Sequence, residues 1–142
     1  MVTRDRVSQG GADSGTGPKK NVAGRGVEGD LVCSMTNMGA FAQPQGHLQL
    51  ILNLTLFGMD PQSAIDAPRF CIEDGTQGGA VSIEEGWAPD TVTRLERMGH
   101  PAKWVKSYDR KVFGRAQIIT RDPDGILCGG SDPRADGCAI GF

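Results

Sequence analysis

Near residue 30 the amino-acid sequence changes in kind. From Val7 to Gly29 it is crowded with Gly, Ser, Asp, Lys and Arg and contains no run of apolar residues. A stretch of that kind cannot bury enough surface to offset the entropy of ordering it. Residues 1–29 are therefore expected to form a disordered or inserted N-terminal segment, and residues 30–142 the folded part. A chain of 142 residues, 38% of them hydrophobic, can build one core but not two ordinary ones, so a single domain is expected.

Beyond Asp30 the apolar positions become regular. Leu31 to Met35 reads as a short strand, followed by a loop rich in Gly, Ala and Pro through Pro44. Apolar residues spaced three and four apart then predict a helix from Gly46 to Phe57, largely buried and closed by Gly58. Asp60 and Pro61 supply an N-cap and a first-turn proline for a short helix over Gln62–Asp66, which must stop before Pro68. Val81–Glu84 reads as a strand. Pro89 opens a further helix that carries Val92, Leu95 and Met98 on one face and ends at Gly99. Lys103–Lys106, Ala116–Arg121 and Ile126–Gly129 read as strands, the last two joined by a turn over Asp122–Gly125. The fold class is α+β, ending in an antiparallel sheet.

Several function classes are disfavoured at this level. With 15 Lys and Arg against 17 Asp and Glu, the formal charge of -2 creates no field that would attract nucleic acid or an anionic membrane. No apolar run approaches the roughly 20 residues of a membrane-spanning helix. Cys33, Cys71, Cys128 and Cys138 lie far apart with only two histidines in the chain, so no metal site is expected. Buried reduced thiols are the plain reading of these cysteines, and they would suit the cytoplasm. Gly24, Gly26 and Gly29 match a dinucleotide-binding pattern, but no strand precedes them and no helix follows. His47 and His100 have no carboxylate or hydroxyl partner at local spacing, so neither reads as catalytic.

One set of motifs is specific. Pro-Gln-Gly-His-Leu-Gln at Pro44–Gln49, Phe-Gly-Met-Asp-Pro-Gln at Phe57–Gln62 and Ala-Ile-Asp-Ala-Pro-Arg-Phe at Ala64–Phe70 run in one order. After them come Glu-Glu-Gly at Glu84–Gly86, Met-Gly-His at Met98–His100, Phe-Gly-Arg-Ala-Gln at Phe113–Gln117, and Gly-Gly-Ser-Asp-Pro-Arg-Ala-Asp-Gly at Gly129–Gly137. Together they resemble the last part of the small subunit of the gamma-glutamyltransferases, also called gamma-glutamyltranspeptidases or glutathione hydrolases. The resemblance runs from Asp30 to Phe142.

That resemblance implies part of an N-terminal-nucleophile hydrolase, an αββα sandwich that is mainly antiparallel sheet with two or three helices. It also implies a parent enzyme whose N-terminal threonine attacks gamma-glutamyl amides such as glutathione and passes the gamma-glutamyl group to water or an amine. The partners implied are a gamma-glutamyl small molecule and the large-subunit portion of the same precursor; no metal or organic cofactor is implied. In the family the threonine opens a Thr-Thr sequence, and no Thr-Thr pair occurs in this chain. The expectation is a fragment inactive alone, or else a non-catalytic remnant that only binds. Met1–Thr3 look like the family's segment just after the hydroxyl residues that contact the glutamyl carboxylate. Gly39 and Ala40 match the glycine pair whose backbone N–H groups form the oxyanion hole. Asp66 with Arg69 reads as a structural helix-end contact, and Asp132, Arg134 and Asp136 as an ion-pair lock on the final strand.

Overall fold

The computed structural model describes residues 2–4, 30–74, 76 and 78–141. The expected disorder of residues 1–29 falls almost wholly outside them. Within that segment Val2–Arg4 form a strand, β1, which pairs antiparallel with β2 (Asp30–Met38). The sheet continues through β6 (Arg115–Arg121) to β7 (Leu127–Ser131), every neighbouring pair antiparallel. The turn between β6 and β7 is the one expected. Asp122 and Ile126 close it by backbone and side-chain bonds, and Gly125 adopts φ 90° at its corner.

Helix α1 spans Ala42–Thr55, starting four residues ahead of the expected Gly46. Pro44 does not prevent this, because it lies in the first turn, where a backbone N–H has no helical partner to lose. Gly58, at φ 63°, ends the helix as expected, with Met59 N–H bonded back to the Asn53 carbonyl. The expectation of a largely buried helix fails. Ala42, Gly46 and Leu50 are buried, while Leu48, Ile51, Leu52 and Phe57 are exposed. Only one face of α1 meets the sheet, and no described residue covers the other. Helix α2 (Pro61–Asp66) forms as its sequence dictates, with the Asp60 carboxylate accepting from the N–H groups of Gln62 and Ser63.

The two helices cover one face of the four-stranded sheet. Leu50, Ala64 and Ile65 pack there against Cys33, Ala116 and Ile118. Gly46 is what allows α1 to lie so close, because a Cβ at that position would collide with the Asn37 amide. On the opposite face Ser34, Thr36, Met38, Gln117 and Ile119 are exposed.

A second sheet contains β3 (Phe70–Ile72), β4 (Val81–Glu84) and β5 (Ala102–Val105). The sequence reading missed β3 and grouped β5 with the terminal strands. In fact β5 pairs parallel with β4, the connection between them being made by helix α3 (Pro89–Arg97). A 3-10 helix, Ser107–Phe113, returns the chain to β6.

The free edge of β3 is closed by side chains. Gln49 accepts from Phe70 N–H and donates to the Phe70 carbonyl, both at 3.0 Å. One turn earlier, Gln45 repeats the pattern on Ile72 at 2.8 and 3.0 Å. Two glutamines four residues apart on α1 thus stand in for a neighbouring strand and tie the two sheets together. Replacing Gln49 with Ala removes its two hydrogen bonds to Phe70 and a third to the Gln45 carbonyl, and leaves a half-buried edge unsatisfied. Urea unfolding is expected to report a loss of about 2 kcal/mol, and Gln49→Glu, which keeps the acceptor and loses the donor, a smaller one.

Candidate active site

The loop between β2 and α1 carries Gly39 and Ala40. Their carbonyls accept from Ala42 and Gln43 at 2.9 and 3.0 Å. Among the described residues, neither the Gly39 N–H nor the Ala40 N–H donates a hydrogen bond. Two unused donors therefore lie immediately ahead of a 14-residue helix, whose N-terminal partial charge adds to their attraction for an anion. Both residues take positive φ, 150° at Gly39 and 49° at Ala40. For alanine the left-handed conformation costs about 1 kcal/mol, so tertiary contacts must impose it.

Those contacts come from β2 and from the turn into β6. A Cβ on Gly39 would lie 3.0 Å from the Gly114 Cα and 3.2 Å from the Ala42 Cβ. Gly114 in turn takes φ 83° and fits against the Met38 carbonyl and the Asn37 amide. Asn37 is 1% exposed; its Nδ2 donates to the Ala42 carbonyl and its Oδ1 accepts from Arg69 Nη1, each at 3.4 Å. The loop is thus packed against the Gly114 backbone, which a buried amide holds in place.

Arg69 links this clamp to a buried ionic cluster. Its Nη2 contacts Asp132 Oδ2 at 2.9 Å and donates to the Ile65 carbonyl, while its Nη1 also donates to the Phe113 carbonyl. Asp132 accepts further bonds from the N–H groups of Ala116 and Arg134 and from Arg134 Nη1. Arg134 turns its Nε and Nη2 onto Glu84 as a fork, and Arg110 Nε reaches Glu84 Oε1 at 2.6 Å. Glu84 also accepts from the Arg69 backbone N–H at 2.8 Å. The side chains of Arg134, Glu84 and Asp132 are fully buried. Every carboxylate oxygen here has a cationic or N–H partner, which is the condition under which buried charges persist.

The structure thus brings Arg69, Asp132 and Arg134 together. Asp66 stays outside: it is exposed and accepts from Gln62. Arg69 does hold the end of α2, through the Ile65 carbonyl instead of Asp66. Asp136 is exposed and takes no part in the cluster. Arg110 and Asn37 were not singled out by sequence, and Glu84 stood out only as the first residue of the Glu-Glu-Gly motif at Glu84–Gly86, with no ionic role attached to it. His47 contacts the Gln43 carbonyl one turn back on its own helix, and no described group of His, Cys, Asp and Glu has metal-binding spacing. Of the cysteines, Cys33 and Cys71 are buried, and burial pushes both thiols up; Cys128 and Cys138 are exposed, against expectation.

The family model described as gamma-glutamyltranspeptidase matches residues 24–142. The glutathione hydrolase-like YwrD proenzyme of Bacillus subtilis is 35% identical over 106 residues, 73% of this chain and 20% of that protein. A cephalosporin acylase from Bacillus halodurans superposes with a TM-score of 0.64 at 42% identity, covering 73% of this chain and 19% of the acylase. An acivicin-inhibited gamma-glutamyltranspeptidase superposes with a TM-score of 0.66 at 22% identity, covering 85% of this chain and 61% of that one. The chain belongs to the gamma-glutamyltranspeptidase family, and its fold is part of the N-terminal-nucleophile hydrolase sandwich. It spans about a fifth of the length of the curated relatives it matches.

The cluster makes two measurable demands. Burial alone would raise the pKa of Asp132, but the Arg69 guanidinium, the two backbone N–H groups and Arg134 outweigh it and hold the carboxyl below 3.8. A depressed folded-state pKa contributes stability above the unfolded value and loses it as pH falls through the folded one. Thermal melts should therefore show stability lost as pH falls through and below the ordinary carboxylate range, with a smaller loss in Asp132→Asn. Glu84→Gln leaves buried guanidinium charge uncompensated and is expected to cost on the order of 4 kcal/mol in urea unfolding.

Proposed function

We propose that this chain is the carboxyl-terminal portion of an enzyme that cleaves gamma-glutamyl amides. In this reading it supplies the oxyanion-binding loop to a threonine nucleophile carried by another part of the same precursor. The observation that carries the proposal is the pair of unused N–H groups at Gly39 and Ala40, held in positive φ by buried contacts. When a hydroxyl attacks an amide carbonyl, negative charge develops on the carbonyl oxygen. Fixed N–H donors stabilise that charge by about 3 kcal/mol each. Ala40 serves as well as glycine in this role, because the donor is backbone. The attacking hydroxyl needs a base, and a threonine at a processed chain end carries its own in the terminal amine.

Family membership supports the same chemistry. The relatives described above are a glutathione hydrolase-like proenzyme, a cephalosporin acylase and a gamma-glutamyltranspeptidase. Two of those three names carry glutathione or the gamma-glutamyl group, which favours gamma-glutamyl amides as the substrate class. The remaining portion of the precursor is then the necessary partner.

A second reading, a non-catalytic remnant that only binds, draws on the uncovered side chains of Met38 and Ile119, 49% and 51% exposed on the free sheet face. A spliced message with no reading frame upstream of Met1 would favour it.

The test uses the complete precursor assembled from the full-length message. It should release nitroaniline from gamma-glutamyl-p-nitroanilide, and Gly39→Ala should lower kcat at least tenfold with little change in KM. A complete, folded precursor with no turnover would overturn the assignment. Ala40→Gly relieves the strained φ and should raise stability by about 1 kcal/mol.

A further inference from the structure

A cleft of 440 Å³ opens between the 3-10 helix and the loop that follows β7. Its lining includes Tyr108, Arg110, Lys111, Arg115, Arg134 and Asp136. The four cations differ in how far they are already satisfied. Arg134 has all its nitrogens turned onto Glu84, Asp132 and two backbone carbonyls. Arg110 has Nε on Glu84 and, among the described residues, no partner for its two outer nitrogens. Lys111 lies over the Tyr108 ring at 4.4 Å, and neither it nor Arg115 forms an ion pair with a described carboxylate. Asp136 is the one carboxylate in the lining. The wall is therefore positive, and its outer guanidinium and ammonium groups are unneutralised.

We infer that this cleft is a binding site for a small carboxylate, held by Arg115, Lys111 and the outer nitrogens of Arg110. Arg110 is pre-set for the task, since Glu84 fixes its Nε while its two outer nitrogens have no partner among the described residues. Arg115 is half-buried, which lowers the entropy lost when it engages an anion. The Arg115 backbone also lies close to the proposed oxyanion loop. Arg115 follows Gly114, whose Cα lies against Gly39, and it pairs in register with Met38, the residue before the oxyanion loop. Resting on the proposed amide cleavage, the carboxylate is one carried by the substrate or acceptor, away from the bond that breaks.

The inference is tested by binding, so that it stands or falls apart from turnover. The 15N-labelled chain is titrated with glutarate and, separately, with neutral glutaramide, after circular dichroism has established that each variant is folded. Glutarate is expected to give saturable amide shifts at Tyr108, Lys111, Arg115 and Ala135, and glutaramide none. Arg115→Gln should weaken glutarate about tenfold, and Lys111→Gln by a smaller factor. The exposed Lys103→Gln, on β5, is expected to leave binding unchanged. Glutarate shifts that do not saturate, or an affinity equal in wild type and Arg115→Gln, would overturn the site. Glutarate binding without turnover in the complete precursor would overturn the proposed reaction and leave the cleft standing.

Discussion

Glu84 holds the structure's parts in common alignment. Its carboxylate sits at the end of the second sheet and accepts from the Arg69 backbone, from Arg110 in the 3-10 helix and from Arg134 after β7. Those donors are separated from it by 15, 26 and 50 residues. A carboxylate removed from water is costly unless fully partnered, and here the partners come from three separate segments of chain. The cluster therefore specifies arrangement: the two sheets can meet only in the geometry that satisfies it. An apolar interface of similar area would be as stable and less particular.

From that cluster the geometry passes to the loop in short steps. Arg69 reaches Asp132 on one side and Asn37 on the other. Asn37 packs against Gly46 and Gly114, and Gly114 packs against Gly39. Each step is a close approach that a larger side chain would block. Ala40 is kept in a conformation alanine avoids, and the donors it shares with Gly39 stay unpaired beside a helix N-terminus. Strain and two unpaired backbone donors coincide at one loop beside a helix N-terminus, which marks it as the place where the fold does chemistry.

Much of the fold was legible in local signals. Asp60 with Pro61, Gly58, and the turn at Asp122–Gly125 each set a chain direction by their own chemistry, and each formed as read. What was not legible depends on distant partners. β3 is three residues long, and its edge bonds go to glutamines over 20 residues away. Pro44 lies inside α1 because a first turn does not need its N–H, and a pattern search that treats proline as a stop cannot know which turn it occupies. β5 has the same composition whether its partner is parallel or antiparallel; only the α3 crossover decides. At the site, Gly39 and Ala40 came from the family resemblance, while Arg69, Asp132 and Arg134 were noted as ionic. Asp66 was paired with Arg69 because they are neighbours in sequence. The true partner lies 63 residues on, and the hub, Glu84, was visible only within the Glu-Glu-Gly motif, where nothing local showed which cations it would meet.

Oxyanion binding at this loop requires that two amides stay free within the fold. Hydrogen exchange resolved by residue should find the N–H groups of Gly39 and Ala40 exchanging freely, while Leu50 in α1 and Ile118 in β6 are protected near the global unfolding limit. Protection of Gly39 and Ala40 comparable to Leu50 would mean that both donors are engaged inside the fold, and would contradict the assignment of this loop to oxyanion binding.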